Sequence, residues 1–261
     1  AAIAMGQGDN RRAETIMGSC FTCLVAAALA LTALFWAVGE PLLWLFGCSE
    51  ETILYALPYM RIYSSGSIFV MMALGMNLFV TTQGFTRFSM KTVLIGAVCN
   101  IILDPIFIYG LRMGVRGAAL ATVISQAVSG VWVVRFLTGG QTKLRLRLSC
   151  LRPRWSVMGP VLALGLAPFI MQSTEALLNI SFNASLQRYG GDIAVGAMTV
   201  ASTVMQMVWI PVQGIGQGAQ PIISYNYGAK NPQRVREAFW ALLKLSCALM
   251  AGFWLLVQLF P

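Results

Sequence analysis

The sequence contains no histidine, and charged residues make up only 10% of its 261 residues. The missing histidine excludes imidazole-based triads and general bases, and it excludes every metal site that needs a histidine ligand. The six cysteines do not form the paired CxxC motifs of a zinc site, and we interpret Cys20 and Cys23, which lie in an apolar run, as packing residues. Soluble domains average about 25% charged residues. So low a charge content therefore excludes an ordinary cytosolic enzyme.

Apolar residues are what the chain has in abundance: they make up 57% of the sequence, and the mean hydropathy is +0.72. They form runs of helix length, about 18–25 residues, rather than the short alternating segments of a membrane barrel. This pattern predicts an all-α integral membrane protein with seven transmembrane helices. The predicted spans are 19–38, 62–82, 92–109, 118–136, 158–185, 193–212 and 242–260. A glycine-rich stretch, 214–227, is predicted to extend the sixth helix.

The lysines and arginines are distributed unevenly between the loops on the two sides of these spans. Of the 18 basic residues, all but four fall in alternate loops that share one side. The four exceptions are Arg61, Arg112, Arg116 and Arg188. Cytoplasmic loops carry an excess of Lys and Arg. We therefore expect a multi-pass protein of a bacterial-type inner membrane, with its basic loops in the cytoplasm. The net charge of +9 then needs no nucleic-acid partner.

Two short segments of the chain resemble each other, and each precedes an apolar helix. Residues 6–14 align with residues 228–236, so that Gly6 matches Gly228, Asp9 matches Asn231 and Arg12 matches Arg234. The alternative is that these are two unrelated basic loops. Six predicted spans separate the copies, an even number, so a repeat would be parallel rather than inverted. This interpretation predicts two six-helix bundles.

The chain would then be an internal part of a longer protein and would carry helices three to nine of twelve. Residues 1–138 would form the remainder of the first bundle, 139–156 a basic cytoplasmic linker, and 157–261 the first half of the second bundle.

Only two of the nine acidic residues, Asp104 and Glu175, lie within predicted spans. A charged acid at the bilayer centre costs roughly 2.5–3.5 kcal/mol on insertion scales. Each acid is therefore expected to carry a proton, to bind a cation, or to pair with another helix. The first two possibilities are the chemistry of ion or proton coupling. The alternative is a structural carboxylate that hydrogen-bonds across helices.

Asp104 has polar neighbours at helical spacing. Asn100 precedes it by four residues and shares its helix face, and Pro105 removes one backbone donor and frees a carbonyl. Asn77 in the preceding helix and Thr122 in the following one complete a candidate set of hard oxygen ligands. Such a set suits Na⁺ or a proton rather than a soft metal. We expect no other metal and no cofactor.

Glu175 belongs to a polar stripe on the predicted fifth span. Gln172, Glu175, Asn179 and Asn183 follow one another at helical spacing, and Gln206 lies in the next helix. Such a stripe is costly if it faces lipid, so we expect it to face a cavity inside the bundle. These residues are the candidate lining of a substrate cavity.

Several of these stretches together resemble the multidrug and toxin extrusion (MATE) family of secondary transporters. The matching segments are NIILDPIFIYGLRMGVRGAALATVISQ at 100–126, TTQGFTRFSM at 81–90, GIGQGAQPIISYNYGAKNPQRVREA at 214–238 and GQGDNRRAE at 6–14. The resemblance implies a twelve-helix, monomeric antiporter of two six-helix bundles. Such a protein exports organic cations or amphipathic drugs against inward Na⁺ or H⁺ by alternating access.

The resemblance also implies roles for the residues singled out above. The family's cation site in the first bundle maps to Asp104, Asn100, Asn77 and Thr122, and a second cation site of some members maps to Glu175. The alternative function is a flippase for lipid-linked saccharides, which shares the topology. An enzyme is not expected, since the sequence has neither a DxxD nor an HExxH motif.

Overall fold

A computed structural model of the chain describes residues 1–45, 48 and 50–259, apart from the side chains of 45, 148, 180, 183, 184, 187, 188 and 192–195. All regular structure in this part of the chain is helical, which confirms the predicted all-α membrane fold. The α-helices are α1 (Ala2–Gly6), α2 (Asn10–Leu45), α3 (Glu50–Ser65), α4 (Ser67–Met71), α5 (Asn77–Thr82), α6 (Thr86–Pro105), α7 (Val115–Thr138), α8 (Trp155–Gly228) and α9 (Pro232–Leu259). Two π-helical turns (Met72–Met76 and Ile106–Gly110) and a 3₁₀ turn (Leu148–Cys150) complete the set.

Six stretches of the described chain are long and apolar enough to cross a membrane, if the bent pair α3 and α4–α5 counts as one. They are Asn10–Trp44, Glu50–Ser65 with Ser67–Thr82, Thr86–Gly110, Val115–Thr138, Trp155–Asn179 and Pro232–Leu259. Each overlaps one predicted span. The remaining prediction, 193–212, falls on α8 after Gly191, where the backbone leaves helical geometry with φ 62°. The first residues of that span lie outside the described side chains. As predicted, the helix continues through 214–227, since α8 ends at Gly228.

The second span is longer than predicted, and it is bent by 52° between α3 and α4. The bend lies at Gly66, where an added Cβ would collide with Val123 of α7. Just before the bend, the hydroxyls of Ser64 and Ser65 both donate to the carbonyl of Arg61, at 3.1 and 2.7 Å. Such side-chain bonds compete with the helix ladder. Because Gly66 has no side chain, the bend between α3 and α4 can also approach α7 closely.

The chain divides into two compact units. The first contains residue 1 and residues 9–154, and the second contains residues 2–8 and 155–261. The bundle and linker boundaries expected from the sequence stay a prediction.

Helix α7 is the most buried helix of the first unit, and small residues explain its close packing. Gly117, Ala121, Ser125 and Ser129 recur at intervals of four residues, and all are buried. Small residues at this spacing let helix backbones approach closely in a membrane. At Gly130 an added Cβ would lie 3.2 Å from the carbonyl oxygen of Phe69. Ser129 of this series donates to the carbonyl of Thr92 at 3.2 Å, so this face of α7 turns towards α6.

The basic segment after α7 is held against other parts of the first unit by polar contacts. Leu144 is fully buried, and its backbone N–H donates to Oε1 of Gln83 at 2.9 Å. Glu14 accepts from the backbone N–H of Arg145 at 3.0 Å and pairs with Arg147 at 3.6 Å. The segment therefore packs on the ends of α2 and α5.

The two copies of the proposed repeat have the same local backbone. Oδ1 of Asp9 accepts from the N–H of Arg12 at 2.9 Å, and Oδ1 of Asn231 accepts from the N–H of Arg234 at 3.2 Å. The residue before each cap has a positive φ: 80° at Gly8 and 55° at Lys230. These matching turns support a parallel repeat.

The helices that precede the two turns cross closely in the second unit. An added Cβ at Gly6 would collide with the carbonyl oxygen of Tyr225, and one at Gly228 would collide with that of Ile3. Ile3 and Tyr225 occupy corresponding places three residues before the two glycines. The contact is thus close to symmetric, and glycine is required at both positions because no other residue leaves room for the facing backbone.

Candidate functional site

Helix α6 brings Asp104 and Asn100 together. Nδ2 of Asn100 donates to Oδ1 of Asp104 at 3.3 Å, and both side chains are half-buried. The bond joins residues four apart, which face the same side of a helix. A hydrogen bond to a carboxylate stabilises its charged form and holds its orientation. The pair predicted from the spacing therefore forms in the structure.

The backbone beside this pair is irregular. Helix α6 ends at Pro105, and the π-helical turn Ile106–Gly110 follows directly. The N–H of Leu111 donates to the carbonyl of Ile106 at 2.8 Å, five residues back. Pro105 has no N–H, so the carbonyl of Ile101 loses its usual helical donor. π-Helical turns occur frequently at functional sites, and here one lies next to the acid of the span.

A cavity of about 220 Å³ lies between α6, α7 and the π-helical turn Met72–Met76. Asn100 and Thr122 both line it, so the structure brings these two predicted residues to one space. Asp104 is not among the lining residues and connects to the cavity through its hydrogen bond with Asn100. Asp104, Asn100 and Thr122 therefore do not form one ring of ligands around this cavity.

The polar wall of this cavity was not predicted. It consists of Thr92 on α6 and of Ser125, Gln126 and Ser129 on α7. Together with Thr122, the α7 residues recur at intervals of three and four, so the same helical spacing that revealed Asn100 and Asp104 could have revealed them. A single Ser or Thr in a membrane helix usually donates its hydroxyl proton to a backbone carbonyl of its own helix. Its presence alone therefore does not indicate a ligand site.

The hydroxyls of the wall have defined partners. Thr122 donates to Ala118 O at 3.0 Å, Ser125 to Ala121 O at 2.8 Å, and Ser129 crosses to Thr92 O at 3.2 Å. Because each hydroxyl proton is used in one of these bonds, each hydroxyl oxygen keeps lone pairs that can accept a further bond. Amide, hydroxyl and carboxylate oxygens are hard ligands, which suit Na⁺. The same surroundings also suit a carboxylate that carries a proton.

Asn77 lies apart from this group. It is buried, and its Nδ2 donates to the carbonyl of Ser89 at 3.3 Å. Ser89 precedes Asn100 by eleven residues on α6, which is roughly 16 Å along a helix at 1.5 Å per residue. The structure therefore does not bring Asn77 to Asp104. Residue spacing in separate helices does not fix their relative depth, and here a π-helical turn also displaces the register just before Asn77.

Asn77 has an unsatisfied atom of its own. Its Oδ1 is buried and has no hydrogen-bond partner among the described residues. A buried polar atom without a partner costs about 1–3 kcal/mol. The side chain is thus fixed by one bond to α6 and retains an acceptor at a different depth from Asp104.

The second candidate acid has different surroundings. Gln172, Glu175 and Asn179 are exposed on α8, and so is Gln206 further along the same element. Glu175 forms no hydrogen bond or ion pair with any side chain that the structure describes. The predicted stripe residue Asn183 lies outside the described side chains. The substrate cavity expected here stays a prediction.

Comparison with known proteins gives a consistent result. The MatE family model matches residues 1–106 and 168–261, which is well over half of the chain. The chain is 28% identical over 189 residues to the multidrug export protein MepA of Staphylococcus haemolyticus, covering 72% of this chain and 41% of that protein. It is 23% identical over 241 residues to MepA of Staphylococcus aureus, covering 92% of this chain and 52% of that protein. The chain thus spans about half the length of the curated relatives it matches.

A solved structure has the same fold. A MOP superfamily transporter from Pyrococcus furiosus superposes with a TM-score of 0.92 at 22% identity, over 99% of this chain and 57% of that one. The likeness extends over both units, and the family match covers the segments that contain Asn77, Asn100, Asp104 and Glu175. The chain belongs to the MatE family and is a multi-pass membrane protein with the fold of MATE transporters.

Proposed function

We propose that the protein exports organic cations or amphipathic drugs from the cell by alternating access, in exchange for inward Na⁺ or H⁺. The observation that supports this most strongly is Asp104, an acid in a membrane span that is hydrogen-bonded to Asn100 beside a polar cavity. The curated relatives are named multidrug export proteins. We further propose that the protein acts as a monomer in a bacterial-type inner membrane, with its basic loops in the cytoplasm.

The chemistry of the site supports coupling at Asp104. A charged carboxylate in a span is costly, and either a proton or Na⁺ removes that cost. Ion binding can shift the protein between two arrangements only if the ion has different affinities for them. The Asp104–Asn100 bond and the irregular backbone after Pro105 provide local geometry that a rearrangement can change. In this scheme ion and drug favour opposite arrangements, and exchange follows.

Glu175 has a separate role in this proposal. It contributes a second cation site in the other bundle, and Gln172, Asn179, Asn183 and Gln206 contribute to the surface that contacts the drug. The support is that all five residues lie in the family-matched segment 168–261, with Gln206 beyond the break at Gly191, rather than any contact between them. An exposed polar stripe in a span needs a polar neighbour, which a cationic drug with hydrogen-bonding groups would supply.

Ethidium efflux from vesicles tests the proposal and identifies the ion. The full-length protein is reconstituted, and a Na⁺ gradient and a pH gradient are imposed separately. We expect one gradient to drive efflux in the wild type and to fail in Asp104→Asn. Efflux that is equally fast without either gradient would contradict ion coupling. Failure to move ethidium together with movement of lipid-linked saccharides would favour the flippase.

A further inference from the structure

The second unit contains a large groove that the proposed transport cycle does not use. It has a volume of about 830 Å³ and lies where α8 turns into α9. Its walls are apolar at Ile223, Val235 and Phe239, and its rim bears Lys230 and Arg236. No acidic residue lines it in the part of the chain that the structure describes. A groove with a cationic rim and an apolar wall matches a ligand with an anionic end and an apolar end.

The two basic residues of the rim are exposed and have no acidic partner within 4.0 Å among the described residues. Their neighbour Arg234 differs, because it pairs with Glu237 at 3.4 Å and does not line the groove. The charged groups of surface Lys and Arg side chains are normally hydrated or paired with a carboxylate. Here two positive charges flank one concave surface, and the electrostatic field in a groove with low-dielectric walls is focused.

Within the internal repeat, the two cations of the groove rim occur only in the second copy. Lys230 corresponds to Gly8, and Arg236 corresponds to Glu14. Lys230 keeps φ at 55°, a conformation that glycine adopts without strain and that a side chain disfavours. In the first copy Glu14 binds the basic segment after α7. The second copy thus replaces a glycine and an acid by two cations, one of them in a strained backbone position.

The position of the groove in the membrane fits a lipid. The basic loops, including this one, lie on the side that the charge distribution predicts as cytoplasmic. Tyr227 on the groove and Trp240 beside it are both exposed aromatic residues, the type enriched at membrane–water interfaces. Basic pockets between membrane helices at the cytoplasmic surface bind the head groups of anionic lipids.

We propose that this groove binds the phosphate head group of an anionic phospholipid of the cytoplasmic leaflet. Lys230 and Arg236 contact the phosphate, and one acyl chain lies along Ile223, Val235 and Phe239. The bound lipid would neutralise the charge of the α8–α9 turn, next to the crossing of Gly6 and Gly228.

Native mass spectrometry of the delipidated full-length protein tests this site. Phosphatidylglycerol is titrated against phosphatidylcholine, with inorganic phosphate as a separate competitor. The variant is the double change Lys230→Gly and Arg236→Gln. Glycine is chosen because the first copy of the repeat has it at this position, so the turn is expected to keep its conformation. Each basic residue near an anionic surface contributes about 1 kcal/mol, so phosphatidylglycerol affinity should fall roughly fivefold per charge.

Arg234→Gln is the control for each single charge, because it removes one positive charge from α9 outside the groove. We expect it to bind phosphatidylglycerol as the wild type does, and we expect phosphatidylcholine to bind weakly to all three proteins. A loss of roughly fivefold in Arg234→Gln, equal to that expected for each charge of the groove, would show diffuse attraction and overturn the proposal. Full competition by inorganic phosphate would show a small-anion site, and no binding to the wild type would show that another part of the protein covers the groove; either result also overturns it.

Discussion

The two acids in membrane spans have matching sequence neighbours but different structural surroundings. Asp104 has Asn100 four residues before it, and Glu175 has Asn179 four residues after it. In the first pair the amide donates to the carboxylate at 3.3 Å, whereas the second pair, although both residues are described, forms no hydrogen bond. Asp104 is half-buried and Glu175 is exposed. An acid and an amide at helical spacing therefore do not by themselves identify a prepared ion site.

The backbone accounts for much of this contrast. Asp104 precedes a proline and a π-helical turn, which remove a regular helical bond at the acid. Glu175 lies in a regular part of α8, since Pro168 is seven residues away and the non-helical Gly191 is further still. In addition, Thr122, Ser125 and Ser129 of α7 line the 220 Å³ cavity together with residues of α6. We therefore propose that Asp104, rather than Glu175, has the main coupling role.

The largest effect is expected from Asp104→Asn. The change removes the charge but keeps the size and hydrogen-bonding shape, so the protein should insert and fold normally. Ion-driven ethidium efflux should be abolished, because the neutral amide cannot exchange a proton or balance a cation. Efflux assays and membrane content measured by quantitative blotting check both parts. Unchanged efflux in this variant would remove Asp104 from the mechanism.

Asn100→Leu and Asn179→Leu form a matched pair that tests the contrast directly. A hydrogen bond to a charged group contributes about 1.5–3 kcal/mol. We therefore expect the apparent ion affinity to fall by roughly tenfold or more in Asn100→Leu and to stay near the wild-type value in Asn179→Leu. The apparent ion affinity is measured as the ion concentration that gives half-maximal efflux. Equal effects of the two changes would show that the observed hydrogen bond is not the relevant difference.

A smaller effect is expected from Glu175→Gln. If Glu175 supports drug binding or a second cation, efflux should slow severalfold but should still depend on the ion gradient. Efflux rates at several ethidium concentrations, with and without the gradient, separate the two roles. Wild-type rates and ion dependence would make Glu175 purely structural, whereas complete uncoupling would place it beside Asp104 in importance.

The smallest effect is expected from Pro105→Ala. Alanine restores an N–H that can donate to the carbonyl of Ile101 and favours a regular helix. Ion affinity should fall about two- to threefold, while Pro168→Ala, the corresponding change in the Glu175 helix, should leave it unchanged. The same half-maximal ion concentration provides the readout. A gain in affinity would mean that the irregular backbone opposes ion binding.

Much of the fold follows from the sequence, because long apolar runs are local signals. The Asp104–Asn100 contact was predictable for the same reason, as it lies within one helix. Contacts between helices were less so. The depth of Asn77, the bend at Gly66 and the cavity wall formed by Ser125 and Ser129 depend on how neighbouring helices pack. No residue spacing along one helix encodes that packing.

The groove at the α8–α9 turn shows the same limit. All of its lining residues except Gln7 lie within 223–239, but spacing along the sequence does not show that the turn between α8 and α9 folds them around one groove. The repeat did contain a signal, because Lys230 stands where the first copy has Gly8. Only the shared positive φ shows that this lysine is in a position suited to glycine.

Ion release on drug binding tests the central claim most directly. Ethidium is added to the purified full-length protein in weakly buffered solution, and proton release and Na⁺ displacement are measured in separate experiments. The wild type should release one of these ions in a fixed ratio to bound ethidium, since drug and ion favour opposite arrangements. Asp104→Asn should bind ethidium and release neither. Equal release from the wild type and from Asp104→Asn would contradict the assignment of the coupling site to Asp104.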